Sequence, residues 1–220
     1  MPENSYSAFA AAAEAGYGIE LDVRLTSDAV LVVHHDAQLT RTTGQGGRIS
    51  ELRYQELSRR RLVGTDETVP TLAQVLDLVA GRVPVMIEIK SMQVTPGRIA
   101  GLVADVLEGY GGPVCVASFN PRALGWFRRH RPEVPRVLTA GSLRDVPMPS
   151  LLRRRLSRLK NLALLQPAAV SYELDGLPSP VTDRWREDGG ALVTWTVRDD
   201  DGLHRASSLA DNIIFERVRP

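Results

Sequence analysis

Several features are scarce or absent in this sequence. The chain has one cysteine, Cys115, so an internal disulfide framework is excluded and nothing indicates an oxidising compartment. No apolar run is long enough to cross a bilayer, and the first residues show no secretory pattern. The 27 lysines and arginines balance 26 aspartates and glutamates, which argues against a nucleic-acid or acidic-membrane partner. We therefore expect a cytoplasmic protein without stable membrane insertion; the oligomeric state stays open.

The stretch from residue 18 to residue 36 combines acidic residues with strand periodicity. Glu20 and Asp22 alternate with apolar residues, so both carboxylates leave the predicted strand on one face. A second apolar run, residues 29 to 33, ends at His34-His35-Asp36. Paired acids beside a histidine are typical of a hard-metal site with an acid/base group. The pattern also fits a solvent-facing strand, so this stretch alone leaves both interpretations open.

After a polar segment at residues 37 to 68, short apolar runs alternate with helical patterns. Ser, Thr or Asn followed by Pro marks three of the helix starts. We predict a basic helix over 51 to 62 and another over about 150 to 165. The seven predicted strands are 18–23, 83–89, 114–119, 136–139, 168–172, 191–197 and 212–215. This alternation predicts parallel strands joined by right-handed crossovers.

The predicted fold is therefore α/β, a TIM-type (β/α)₈ barrel. At 220 residues the chain fits one domain, residues 1–220, with a small insertion at about 37–68. An eight-stranded barrel needs one strand more than the seven predicted, and the chain opens on a helical pattern. The last predicted strand ends five residues before the end of the sequence. We expect the barrel to lack its first strand and its last helix.

The second predicted strand repeats the charge pattern of the first. Glu88 and Lys90 lie two residues apart, on one face, where that strand ends. In such barrels the functional groups stand at the carboxyl ends of strands, and inward charges are costly unless they are paired or bound to metal. Three carboxylates and a lysine at one rim predict a divalent cation held by oxygen ligands, with Lys90 facing an anionic substrate.

Motifs in order along nearly the whole chain resemble the glycerophosphodiester phosphodiesterases. They are Pro2-Glu3-Asn4-Ser5 with Ala8-Phe9, Glu20-Leu21-Asp22-Val23, Thr26 with Asp28, His35-Asp36 followed by Leu39 and Arg41-Thr42, Pro70-Thr71-Leu72, Glu88-Ile89-Lys90, Ser118-Phe119 and Trp195-Thr196-Val197. The resemblance implies a barrel of the phospholipase-C-like phosphodiesterase type, with 37–68 as its insertion. It also implies metal-dependent hydrolysis of a small glycerophosphodiester to an alcohol and glycerol 3-phosphate.

The resemblance also implies roles for individual residues. The metal ligands for Ca²⁺ or Mg²⁺ would be Glu20, Asp22 and Glu88. His35 would be one of two acid/base histidines, Lys90 would contact the phosphate, and Trp195 would line the substrate end of the pocket. The neighbouring His34 faces the other side of its strand and is interpreted as structural.

One departure from the family pattern bears on activity. Family members begin with a strand ending in His-Arg-Gly, which carries the second acid/base histidine and a phosphate-binding arginine; here Met1 directly precedes Pro2. We expect a truncated or misassigned start and a chain impaired by about a hundred- to ten-thousand-fold, the typical contribution of one proton-transfer group. The alternatives are a barrel enzyme that cleaves lysophospholipids or other lipids, or a pseudoenzyme that binds glycerophosphate without turnover.

Overall fold

A computed structural model describes residues 1–91, 95–141 and 162–220. The strands are β1 (Ile19–Leu25), β2 (Leu31–Val33), β3 (Val85–Ile89), β4 (Val114–Ser118), β5 (Arg136–Ala140), β6 (Ala169–Glu173), β7 (Ala191–Val197) and β8 (Asn212–Phe215). The helices are α1 (Tyr6–Glu14), α2 (Thr40–Thr43), α3 (Tyr54–Leu57), α4 (Leu72–Val79), α5 (Pro96–Leu107), α6 (Pro121–His130), α7 (Leu162–Leu165), α8 (Pro180–Glu187) and α9 (Asp200–Leu209). Most of the helix predicted over 150 to 165 lies outside the described residues.

The strands form one curled, mostly parallel sheet in the order β2-β1-β3-β4-β5-β6-β7-β8. All seven predicted strands are present, and they pair in parallel along the order β1-β3-β4-β5-β6-β7-β8. The sheet is curled so that β8 comes close to the start of β1: Tyr17, just before β1, meets Phe215 of β8 edge to face at 5.1 Å between ring centroids. The predicted α/β barrel-type architecture is thereby confirmed as a half-barrel.

Local sequence signals explain where the helices begin. Asn120 accepts a hydrogen bond from the backbone of Arg122, and Pro121 occupies the first position of α6. Thr71 and Gln74 form a reciprocal capping box at the start of α4. No described helix is long and apolar enough to cross a membrane.

The apolar core lies between the sheet and the helices. Leu21 and Val23 of β1 and Ile87 and Ile89 of β3 are essentially inaccessible to solvent and belong to this core. Because successive side chains of a strand point to opposite faces, the alternate positions turn to the inner, concave face of the sheet. The charged residues of β1 and β3 occupy those inner positions.

The prediction of one helix over residues 51 to 62 is wrong. The structure has a 3₁₀ turn at Ile49–Glu51 and the single-turn helix α3, separated by residues in extended conformation. Leu57 and Leu62 are both buried in one small cluster. On a continuous helix, residues five apart diverge by about 140°, so packing into that cluster takes precedence over the helical pattern.

The apolar run at 29 to 33 also differs in detail from a simple extension. Ala29 lies in a turn with a φ of 65°, and only Leu31–Val33 forms a strand, β2. This strand pairs antiparallel with β1, with Val33 opposite Val23. The hairpin runs the chain back along β1, so that the backbone N–H of His34 donates to the carbonyl oxygen of Asp22 at 2.8 Å. His34 and His35 therefore lie next to the acidic part of β1.

Candidate active site

Three carboxylates converge on the inner face of two neighbouring strands. The β1–β3 register sets Asp22 opposite Glu88, and Glu20 precedes Asp22 on the same face. One oxygen from each of the three side chains lies within 4.8 Å of the others. We call these three residues the acidic cluster. Strand alternation and parallel register together explain why they meet.

Lys90, which directly follows β3, forms ion pairs with two members of the acidic cluster. Its Nζ lies 2.9 Å from Asp22 Oδ1 and 2.6 Å from Glu88 Oε1. Burial would lower the pKa of Lys90, but the carboxylates of Glu88 and Asp22 raise it above its ordinary value of 10.5. Lys90 is therefore a fully charged ammonium at neutral pH.

The acidic cluster remains negative despite Lys90. Burial raises the pKa of Glu20 well above its ordinary value of 4.5, and the charges of Asp22 and Glu88 raise it further. Burial opposes ionisation of Asp22 too, but Lys90 and His35 outweigh it and lower the pKa of that carboxyl. Three acids thus share one bound ammonium, and Glu20 is the least compensated of them.

These donors fit a hard divalent cation. Carboxylate oxygens are the ligands that Ca²⁺ and Mg²⁺ prefer, and a second positive charge would offset the burial and the carboxylate repulsion that raise the pKa of Glu20. The residues that could hold such an ion are Glu20, Asp22 and Glu88, the three named by the sequence.

His35 lies at the end of a chain of polar contacts beside the acidic cluster. Its Nδ1 is 2.8 Å from Asp36 Oδ1, and Asp36 Oδ2 accepts a hydrogen bond of 2.7 Å from Arg41 Nε. Arg41 in turn donates to both carboxylate oxygens of Glu3, at 2.6 and 2.7 Å. The His35 side chain is 53% exposed, which leaves its other ring nitrogen accessible.

Two further polar residues hold this region together. The Arg24 guanidinium donates twice to the backbone carbonyl of His35, at 2.8 Å from Nε and 2.6 Å from a terminal nitrogen. Asn4 Nδ2 donates to Asp22 Oδ2 at 3.0 Å, and its carbonyl accepts from the Asp22 backbone at 3.3 Å. Neither residue was assigned a role in the site from the sequence. The signal for Arg24 was its position two residues after Asp22, on the same strand face.

His34 is held by both ring nitrogens. Its Nδ1 is 2.8 Å from the carbonyl oxygen of Asp36, and its Nε2 is 2.6 Å from Thr42 Oγ1. The side chain is buried, and burial lowers the pKa of this imidazole. His34 therefore supports the loop that carries His35, in agreement with its structural interpretation.

A cleft of about 120 Å³ opens beside the acidic cluster. Its lining residues are Arg24, Ala37, Glu88, Ile89, Lys90, Ser91, Ser118, Phe119 and Asn120. The Phe119 ring meets Trp195 edge to face, with 5.8 Å between centroids. Trp195, from β7, thus stands against the aromatic wall of this cleft, and its buried indole nitrogen has no hydrogen-bond partner among the described residues.

Comparison with known proteins identifies relatives of the chain. A family model described as the glycerophosphoryl diester phosphodiesterase family matches residues 1–218. A glycerophosphodiester phosphodiesterase of Bacillus altitudinis is 37% identical over 145 residues, which cover 60% of this chain and 59% of that protein. One from Caldanaerobacter subterraneus subsp. tengcongensis is 34% identical over 146 residues, covering 61% of this chain and 59% of that protein. The chain therefore matches under two thirds of the length of these relatives.

A solved structure shares the fold over more of the chain. A phosphodiesterase of Oleispira antarctica, in complex with the product sn-glycerol-3-phosphate, superposes with a TM-score of 0.82 and covers 97% of this chain and 87% of its own. The sequences are 22% identical, so this likeness establishes the fold alone.

Proposed function

Since the chain belongs to the glycerophosphoryl diester phosphodiesterase family, we propose that it hydrolyses glycerophosphodiesters to an alcohol and glycerol 3-phosphate. The observation that carries the proposal is the convergence of three carboxylates, two of which pair with Lys90, near the exposed His35. A phosphodiester needs its negative charge neutralised, a base for the attacking oxygen and an acid for the leaving alkoxide. Residues of these types stand together here.

We propose that Glu20, Asp22 and Glu88 hold a divalent cation, Ca²⁺ or Mg²⁺. Such an ion, when bound, polarises phosphoryl oxygens and lowers the barrier to attack on phosphorus. Glu20 favours this role because its carboxyl has neighbouring negative charges and no ion pair among the described residues.

We infer roles for the remaining site residues from their contacts and from the family resemblance. Lys90, a charged ammonium beside the cleft, would neutralise the phosphate. His35 would transfer a proton through Nε2, because Nδ1 is engaged with Asp36. Trp195 and Phe119 would line the end of the pocket that receives the glycerol or the alcohol.

The size of the cleft favours a compact polar substrate. Pockets that enclose drug-sized ligands span about 300–1,000 Å³, whereas the cleft lined by described residues holds about 120 Å³. A glycerophosphate group fits such a volume better than an acyl chain does. The Oleispira antarctica structure, with sn-glycerol-3-phosphate bound, is consistent with a small-molecule substrate of this class.

A substrate panel tests the proposal. We expect glycerophosphocholine to be hydrolysed in the presence of Mg²⁺ or Ca²⁺ and a lysophospholipid to be hydrolysed much more slowly. Chelation should abolish turnover, and returning the cation should restore it. His35→Gln should lower kcat by about a hundred- to ten-thousand-fold. Faster cleavage of the lysolipid would instead support a lipase, and ligand binding without turnover of any substrate would support a pseudoenzyme.

A further inference from the structure

Three charged side chains form a continuous link behind His35. Glu3 precedes α1, Asp36 follows His35, and Arg41 lies on α2 and joins the two carboxylates. We call these three residues the N-terminal brace. We propose that the brace is a positioning device that holds the His35 imidazole in one orientation and one tautomer. This inference rests on the proposed function, in which His35 transfers a proton.

The contacts of Arg41 are those of a rigid connector. Three of its nitrogens are used: Nε donates to Asp36, and the two terminal nitrogens donate to the two oxygens of Glu3. A planar guanidinium that bonds a carboxylate at both oxygens fixes its direction as well as its distance. Because both carboxylates are anchored to one plane, Asp36 has little freedom to turn away from His35.

Charge keeps the brace intact at neutral pH. The Arg41 hydrogen bond outweighs burial and lowers the pKa of Glu3 below its ordinary value of 4.5. Burial opposes ionisation of Asp36, but hydrogen bonds from Arg41 and His35 lower the pKa of that carboxyl far below 3.8. Both acids are therefore acceptors at neutral pH, which requires a donor at His35 Nδ1 and leaves Nε2 to exchange the proton.

The backbone of His35 is fixed at the same time as its ring. Two N–H groups of Arg24 bind the His35 carbonyl oxygen from the inner face of β1. A ring that is 53% exposed would otherwise sample several rotamers. Held at the carbonyl and at Nδ1, it has one orientation relative to β1.

The brace also connects His35 to the acidic cluster through adjacent residues. Glu3 binds Arg41, and the next residue, Asn4, exchanges two hydrogen bonds with Asp22. A shift of this short segment would therefore move the histidine and a cluster carboxylate together. The brace thus sets the spacing between the proton-transfer group and the acids.

A purely stabilising role fits the brace less well. The Arg41 side chain is 52% exposed and that of Glu3 36%. Exposed ion pairs contribute little to folding stability because water and salt screen them. Exposure weakens the energy of these contacts but does not change their geometry. A proton-transfer group needs a fixed geometry relative to its substrate.

The test compares variants of the brace with a matched control. Arg41→Gln removes the link, and Arg41→Lys keeps the charge but loses the planar fork. Arg61→Gln is the control, since Arg61 pairs with the exposed Asp66 in the same part of the chain and is not among the described partners of the brace residues. We measure kcat and KM on glycerophosphocholine, and the ring ¹⁵N chemical shifts of His35 by NMR, which report the tautomer without any need for turnover.

We expect Arg41→Gln and Arg41→Lys each to lower kcat by about tenfold or more, part of the contribution of a general acid or base, with little change in KM. The His35 ring should shift from one tautomer to a mixture in both variants, and Arg61→Gln should match the wild type. If the His35 ring shifts and kcat were both unchanged in Arg41→Gln, the proposal that the brace positions His35 would be wrong. If His35→Gln itself kept full activity, the proposed catalytic role would fail instead, while the ring shifts would still decide whether the brace orients His35.

Discussion

Replacing Lys90 with methionine removes the ammonium that bridges two buried acids. Lys90 Nζ contacts Asp22 at 2.9 Å and Glu88 at 2.6 Å, and the three side chains are 14%, 7% and 11% exposed, respectively. Methionine preserves most of the volume of the lysine stem. The substitution therefore tests charge compensation with little change in packing.

The size of the effect follows from burial. Removing one partner of a buried ion pair destabilises a protein by about 3–5 kcal/mol, because the remaining charge is left without compensation. The pKa of Lys90 is raised above 10.5, so its contribution is complete at pH 7 and is lost only as the pH rises through the higher, folded-state value. We therefore expect Lys90→Met to lower the free energy of unfolding by about 3–5 kcal/mol at pH 7 in the presence of chelator.

A divalent cation should reverse much of this loss. Urea unfolding followed by circular dichroism, with chelator or with excess Mg²⁺ or Ca²⁺, measures both values. The cation should stabilise Lys90→Met more than wild type, because it supplies the charge that the lysine provided. Arg61→Met, which breaks the exposed pair with Asp66, should change stability by only about 0–1 kcal/mol. The reasoning is refuted if Lys90→Met in chelator is no less stable than Arg61→Met.

Three further predictions concern other parts of the site and the fold. Cation affinity should rise with pH, because burial and neighbouring carboxylates raise the pKa of Glu20 and cation binding must displace its proton. Calorimetry in buffers of different ionisation enthalpy detects that proton release. A cation affinity that does not depend on pH would contradict the prediction. Asn4→Ala removes two hydrogen bonds to Asp22 and should weaken cation binding by about tenfold, as loss of an outer-shell partner does; an unchanged dissociation constant would show that Asn4 does not orient this carboxylate. Leu57→Ala should lower the free energy of unfolding by about 2–5 kcal/mol because Leu57 is fully buried, whereas Val63→Ala at a 62% exposed position should have almost no effect. Equal effects of the two substitutions in denaturant unfolding would contradict the stabilising role of the small cluster that contains Leu57 and Leu62.

The strands and the acidic cluster were predictable because their signals are local and periodic. Alternation in β1 and β3 assigns Glu20, Asp22 and Glu88 to one strand face, and parallel pairing then brings them together. The same two-residue period places Lys90 on the face that carries Glu88. The meeting of these four side chains thus needed only the strand pattern and the order of strands.

The contacts that the sequence did not predict are nonlocal. Arg41 and Glu3 are 38 positions apart, and no spacing rule joins them. Trp195 meets Phe119 only because the sheet curls and brings β7 near the end of β4. The helix over 51 to 62 failed for a related reason, since a cluster assembled from distant residues determined the local conformation.

The most direct test of the account is ³¹P NMR of glycerophosphocholine incubated with the purified chain, since it resolves substrate from glycerol 3-phosphate even at slow turnover. We predict that glycerol 3-phosphate accumulates with Mg²⁺ or Ca²⁺, stops accumulating on chelation, and does not form with Glu88→Gln. Equal accumulation in chelator, or with Glu88→Gln, would contradict the claim that the carboxylates of β1 and β3 act through a bound cation.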